Sequence, residues 1–150
     1  MNRSMGNPIV ILLADDDEDD RLLARDALVE SRLANELRMV GDGVELLEYL
    51  RREGSYADAE DSPRPGVILL DLNMPRMDGR EALEAIKGDP DLRRIPVVVM
   101  TTSQAEEDVV RSYDMGASSF ITKPITFDGL VAVMRGLGTY WIEIVQLPPQ

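Results

Sequence analysis

At 150 residues the chain suits one domain whose core is large enough to need no disulfide or metal staple. Cysteine and histidine are both absent, which excludes a disulfide framework, a thiolate or imidazole metal site, a Ser-His-Asp triad and a phosphohistidine on this chain. A formal net charge of −12 argues against a nucleic-acid partner, whose phosphates call for clustered Lys and Arg.

Residues 1 to 7 show no periodicity and are expected to form a flexible N-terminus. The apolar run Ile9 to Ala14 reads as a buried strand; it is too short for a signal-peptide core or a membrane span, so no membrane partner and a cytoplasmic location are expected. Asp15 and Asp16 end that strand, and Asp17 to Asp20 fall in the first turn of a helix, where the dipole favours negative charge and an Asp can cap. Leu22, Leu23, Ala27 and Leu28 then recur at helical spacing and are expected to face the core.

Glu36 to Val40 is a weaker second strand, broken at Gly41-Asp42-Gly43. Val44, Leu46, Leu47 and Leu50 follow as a helix that Gly54 is expected to close. Ser55 to Gly66 has no apolar face and reads as a surface loop. Val67 to Leu70 is a continuous apolar strand that stops at Asp71, followed by the turn residues Asn73, Pro75, Asp78 and Gly79. A helix with Ala82, Leu83 and Ile86 ends at Gly88-Asp89-Pro90.

Ile95 to Met100 is a fourth strand, ending at Thr101-Thr102-Ser103, and Ala105 to Met115 reads as a helix that Gly116 stops. Ser118 to Thr122 is a short fifth strand ending at Lys123-Pro124. Thr126 caps a last helix whose apolar stripe runs from Leu130 through Trp141, Ile144 and Val145. Five strands alternating with five helices imply a single α/β domain, a doubly wound (βα)5 parallel sheet of order 2-1-3-4-5. In that order the first and third strands are neighbours, so Asp15, Asp16 and Asp71 meet at one sheet edge.

At the same edge stand Thr101 after the fourth strand and Lys123 after the fifth. Three clustered carboxylates repel, and a hard divalent cation with oxygen ligands, such as Mg²⁺, relieves them. Thr101 offers a hydroxyl and Lys123 an ammonium, both suited to phosphoryl oxygens. The set resembles a phosphoryl-transfer site with an aspartate nucleophile.

The motifs ILLADDD, VILLDLNMPRMDG, VVVMTTS and SSFITKP, in this order from Ile9 to Pro124, resemble the receiver domain of two-component response regulators. That resemblance implies a flavodoxin-like receiver fold and transfer of a phosphoryl group from a partner kinase's phosphohistidine onto Asp71. It implies Mg²⁺ held by Asp16, Asp71 and the backbone carbonyl of Asn73, with Asp15 assisting. It makes Thr101 and Phe120 the switch residues and Lys123 the partner of the phosphoryl oxygens, in a signalling protein that catalyses only its own phosphorylation and dephosphorylation.

The loop from Ser55 to Gly66 and the C-terminal YWIEIVQLP resemble more narrowly the regulators that partner bacterial phytochrome histidine kinases. The receiver domain is expected over residues 8–147, with an extended last helix and no output domain after it. The apolar stripe through Trp141, Ile144 and Leu147 overshoots what is needed to cover the sheet, so a homodimer on the last helix, reaching towards Phe120, is expected.

Three other readings compete. A Mg²⁺-dependent phosphatase of the haloacid dehalogenase type also places an Asp after a buried strand, but it wants a second Asp where this chain has Asn73, and it needs a lid. A degenerate receiver would signal without phosphate, against the intact acid, Thr and Lys set. A flavodoxin-like nucleotide binder would need glycines where the first turn has aspartates.

Overall fold

The computed structural model describes residues 9–31, 35–58, 60–72, 74–101, 119–122 and 126–137. Five strands, β1 (Ile11–Ala14), β2 (Leu37–Val40), β3 (Val67–Leu70), β4 (Val97–Thr101) and β5 (Ser119–Thr122), form one sheet. Every pairing is parallel and the order is β2-β1-β3-β4-β5, the arrangement expected from the alternation of elements. The described helices are α1 (Glu18–Glu30), α2 (Gly43–Arg51), α3 (Gly79–Gly88) and α4 (Phe127–Leu137). The helix expected over Ala105 to Met115 lies outside the described residues.

Side chains alternate across a strand, so the central strands feed two cores. Leu12, Ala14, Ile68, Leu70, Val97 and Val99 pack with Leu46, Leu47, Leu83 and Ile86 of α2 and α3. Ile11, Leu13, Val67, Leu69 and Val98 pack with Ala24, Ala27 and Leu28 of α1 and with Leu130, Val131 and Met134 of α4. Each fully buried Leu or Ile contributes about 1.5–3 kcal/mol over leaving it exposed. The two cores therefore anchor the central strands and fix where they end.

Three local expectations are corrected. Leu22 and Leu23 do not face the core: they are 54% and 44% exposed, while Ala24, Ala27 and Leu28 are buried. At ~100° per residue, Leu22 lies about 160° around the helix from Ala24, so both cannot face the sheet. The buried stripe is Ala24, Ala27 and Leu28, which packs with Leu130, Val131 and Met134 of α4.

Gly54 does not close α2. The helix ends at Arg51, with Arg52 in the left-handed region at φ 56°, and Gly54 begins a separate turn of 3₁₀ helix over Gly54–Tyr56. Nor is the stretch from Ser55 to Gly66 only a surface loop. Tyr56 packs against the core and meets the Tyr49 ring at a centroid distance of 5.2 Å. Ser62 is buried at 1% exposure, and its hydroxyl donates to the carbonyls of Tyr56 and Asp58 at 2.9 and 3.2 Å. The Tyr49 hydroxyl donates to Pro63 O at 2.8 Å, and burial pushes its pKa up to about 12.

The caps expected on α1 and on the last helix are present, and α3 carries one that was not expected. Asp17 caps α1, accepting from the amides of Asp19 and Asp20 at 2.8 and 3.2 Å. Asp78 and Glu81 form a reciprocal capping box on α3. The Thr126 hydroxyl accepts from the amide of Gly129 at 3.0 Å.

Candidate functional site

The site grows from the ends of β1 and β3. Ala14 is in register with Leu70, so the residues that follow, Asp15 and Asp71, emerge side by side. The amide of Asp71 donates to Ala14 O at 3.0 Å, and that of Asp15 donates to Val40 O at 3.1 Å, which continues both ladders one residue past the strands. Asp15 and Asp71 are buried at 2% and 8% exposure, and Asp16 is exposed. One carboxylate oxygen from each of the three lies within 4.8 Å of the others.

Two further contacts shape this edge. Asp15 Oδ1 accepts from the amide of Asp17 at 2.9 Å, and the Arg21 guanidinium donates to Asp15 O at 2.6 Å. Arg21 therefore sets a positive charge beside the acids. The contact reaches a backbone carbonyl six residues back, a spacing that no helical acid-base pattern announces.

The Asp71 loop is closed on itself. The Gly79 amide donates to Leu72 O at 2.9 Å, and a Cβ on Gly79 would lie 2.4 Å from Asp71 O. Only a glycine lets the start of α3 sit this close to the candidate acceptor. At its far end the loop meets the turn before α2. The amide of Gly43 donates to Met77 O at 3.0 Å, and a Cβ there would lie 2.2 Å from that oxygen.

Arg76 pairs with Asp42 through Nε to Oδ2 at 2.8 Å and Nη2 to Oδ1 at 3.1 Å. Burial pushes the Asp42 carboxyl up, but the Arg76 hydrogen bond and charge and the amides of Glu45 and Val44 outweigh it and hold the group below its ordinary value. This pair spans a separation of 34 residues and left no mark in any local pattern.

Other expected site residues are placed by backbone. Val99 is in register with Leu70, and Thr101 with Thr122, so Thr101 stands one register position beyond Asp71 at the same edge. Phe120 pairs with Val99, one position short of Asp71. Asn73, Lys123, Trp141, Ile144 and Leu147 lie outside the described residues. A donor set of three carboxylate oxygens fits a hard divalent cation, and among the described residues this is the one cluster of acids with that geometry.

Residues 11–135 match the family model described as the response regulator receiver domain. The chain belongs to that family. It is 43% identical to the response regulator Rcp1 of Synechocystis over 148 residues, covering 99% of each protein. It also resembles the crystal structure of the Mn²⁺-bound form of Rcp1, with a TM-score of 0.82 and 44% identity over 95% of this chain and 100% of the other. The phosphorylated cyanobacterial phytochrome response regulator RcpA matches at a TM-score of 0.82 and 44% identity, over 90% and 94% of the two chains. A regulator named for a phytochrome is thus among its relatives. No helix among the described residues is long and apolar enough to cross a membrane.

Proposed function

We propose that this receiver accepts a phosphoryl group on Asp71 from the phosphohistidine of a phytochrome-type sensor kinase, in a reaction that needs Mg²⁺. The observation that carries the reading is the register-matched pair of strand ends that brings Asp15, Asp16 and Asp71 within 4.8 Å. The Mn²⁺ in the Rcp1 structure and the phosphorylated state of RcpA support it. We assign the receiver domain to residues 8–147.

In this reading Asp16 and Asp71, with the carbonyl of Asn73, hold the cation, and Asp15 orients the set. When bound, the cation offsets the charge of the carboxylates and of the incoming phosphoryl oxygens. An Asp71 carboxylate oxygen attacks phosphorus in line as the P–N bond of the donor phosphohistidine breaks, and the imidazole leaves. Lys123 then pairs with the phosphoryl oxygens. Thr101 moves towards them, and Phe120 follows to carry the change to the surface, so the product is a signal.

A kinase must reach this edge, and Leu22 and Leu23, exposed in the first turns of α1, offer apolar purchase beside it. The test uses the purified phosphorylated kinase domain of a bacterial phytochrome and, in parallel, acetyl phosphate. A Leu23→Glu variant is expected to lose about five- to thirtyfold in transfer rate from the kinase, as for an interface anchor worth ~1–2 kcal/mol, yet to label normally with acetyl phosphate. Equal kinase rates for variant and wild type would remove α1 from the docking face. Absence of any transfer from the kinase to wild type would remove this class of donor.

We also assign a homodimer to the last helix, through Trp141, Ile144 and Leu147 and near Phe120. Light scattering at tens of micromolar (~10⁻⁵ M, well above a typical dimer Kd) is expected to give the dimer mass for wild type and the monomer mass for Trp141→Glu, Ile144→Glu. A monomeric wild type, with and without phosphate, would overturn it.

A further inference from the structure

All strands of a parallel sheet begin at one edge, so the segments that enter β3 and β4 meet at the end of the sheet opposite Asp71. The last turn of α2 finishes beside them, at Arg51 and Arg52. These three segments enclose a cavity of about 270 Å³, lined by the end of α2, by Ser62, Arg64 and Pro65, and by residues between Asp89 and Ile95.

Its walls are tied to one another. The Tyr49 hydroxyl donates to Pro63 O at 2.8 Å and Arg52 Nε to Ser62 O at 3.3 Å, which fastens α2 to the segment entering β3. Arg64 crosses from that segment to the next, with Nη1 3.2 Å from Asp91 Oδ2 and Nη2 2.8 Å from Asp91 O. Asp89 Oδ1 accepts from the amides of Asp91 and Leu92 at 2.8 and 3.2 Å, and the Lys87 ammonium donates to the carbonyls of Arg93 and Ile95 at 3.1 and 3.0 Å. The space is thus framed by bonded groups and is not left by loose packing.

The lining divides by chemistry. Tyr49, Leu92 and Ile95 are buried and, with Leu50 and Pro65, give an apolar floor. Arg51 and Arg52 are exposed. Arg51 has no hydrogen-bond or ion-pair partner among the described residues, and Arg52 donates there through Nε alone, so the outer nitrogens of both guanidinia are open to a ligand. The acids are already engaged, Asp91 by Arg64 and Asp89 by two amides. In a chain of net charge −12 this lining carries three arginines against two aspartates.

We propose that this cavity binds a small planar organic acid, its apolar body against Leu92 and Ile95 and its carboxylate on the guanidinia of Arg51 and Arg52. An apolar pocket with a few placed polar groups is the usual form of a small-molecule site, and a guanidinium fork matches a carboxylate. A dianion such as phosphate fits less well, because the carboxylates of Asp89 and Asp91 share the lining and repel the second charge. The site stands apart from the phosphoacceptor edge and does not depend on the assignment of Asp71.

The probe is 2-naphthoate, titrated into the full chain and followed by NMR, with its neutral analogue 2-naphthalenemethanol and inorganic phosphate run alongside. The naphthoate is expected to shift the amides of Arg52, Leu92 and Ile95 and to leave those of Asp15 and Asp71 in place. Saturation should give a Kd of roughly 1 mM or below, the range open to a ligand of about a dozen heavy atoms. Arg51→Gln, Arg52→Gln, a change at two exposed positions, is expected to weaken binding about three- to tenfold, the span of two exposed charge pairs lost together, and the alcohol to bind wild type more weakly by a similar factor.

No saturable shift at these amides up to about 10 mM, roughly ten times the expected Kd, overturns the proposal. Equal affinity for the acid and the alcohol, or equal affinity in wild type and the double variant, does the same. Phosphate that binds at these amides as tightly as the naphthoate would make this a site for inorganic anions and overturn it as well.

Discussion

Asp71→Asn should abolish phosphoryl acceptance, while wild type treated with acetyl phosphate and Mg²⁺ should gain one phosphoryl group, readable by intact mass. The chemistry leaves few alternatives. Without histidine or cysteine, the acceptors left are carboxylates, hydroxyls and lysine, and of these a carboxylate is already an anionic nucleophile that needs no base to activate it. Among the three clustered acids Asp15 is committed, its Oδ1 accepting the Asp17 amide and its carbonyl the Arg21 guanidinium. Asp16 is exposed and sits off the strand, whereas Asp71 is buried at the strand end with its backbone fixed by Ala14 and Gly79. An acyl phosphate there is labile to hydroxylamine, so brief treatment should restore the unmodified mass. EDTA should suppress labelling by orders of magnitude, because a dianionic donor must otherwise approach three clustered carboxylates with no divalent cation among them. Labelling of the Asp71→Asn variant at the wild-type rate would move the acceptor elsewhere, and labelling indifferent to EDTA would remove the metal from the reaction.

How much of this arrangement was legible beforehand depended on the range of the signal. Continuous apolar runs ending in acids marked β1 and β3, because a strand buried on both faces cannot hide its composition. Their adjacency followed from the alternation of strands and helices, and with it the meeting of Asp15, Asp16 and Asp71. The failures were of two kinds. Leu22 and Leu23 are strongly apolar, so composition pulled them towards the core, yet α1 turns its small residues Ala24 and Ala27 inward instead. Ala24, Ala27 and Leu28 keep the i, i+3, i+4 spacing of one helix face and Leu22 lies on the opposite side, so helical geometry separates them where composition does not. The Arg76–Asp42 pair was invisible for the other reason: it joins two turns 34 residues apart through tertiary structure alone, and nothing in either turn's sequence points to the other. The Ser55 to Gly66 stretch combined both, since its polar composition concealed a buried Ser62 and a Tyr56 that docks on Tyr49.

The acid cluster also has a cost that can be measured without any phosphate. With carboxylate oxygens within 4.8 Å of one another, each pair of charges repels by about 1 kcal/mol under water-like screening and about 3 kcal/mol under the screening typical near a protein surface. Burial of Asp71 adds a desolvation penalty of the same sign. In EDTA, Asp71→Asn should therefore be more stable than wild type by about 1–3 kcal/mol, which for a chain of this length raises the thermal midpoint by several degrees, ~2–4 °C per kcal/mol. Asp16→Asn should gain less, because its carboxylate is exposed and better screened. Mg²⁺ reverses the comparison. At a hundredfold excess over its Kd the cation stabilises wild type by about 2.7 kcal/mol, and a variant lacking one charged ligand collects little of that. The gap seen in EDTA should then close or change sign, and high salt in EDTA should shrink it. Midpoints that coincide in EDTA, at low salt, would mean that the three acids do not repel one another in the folded protein, and the case for a cation among them would fall with that result.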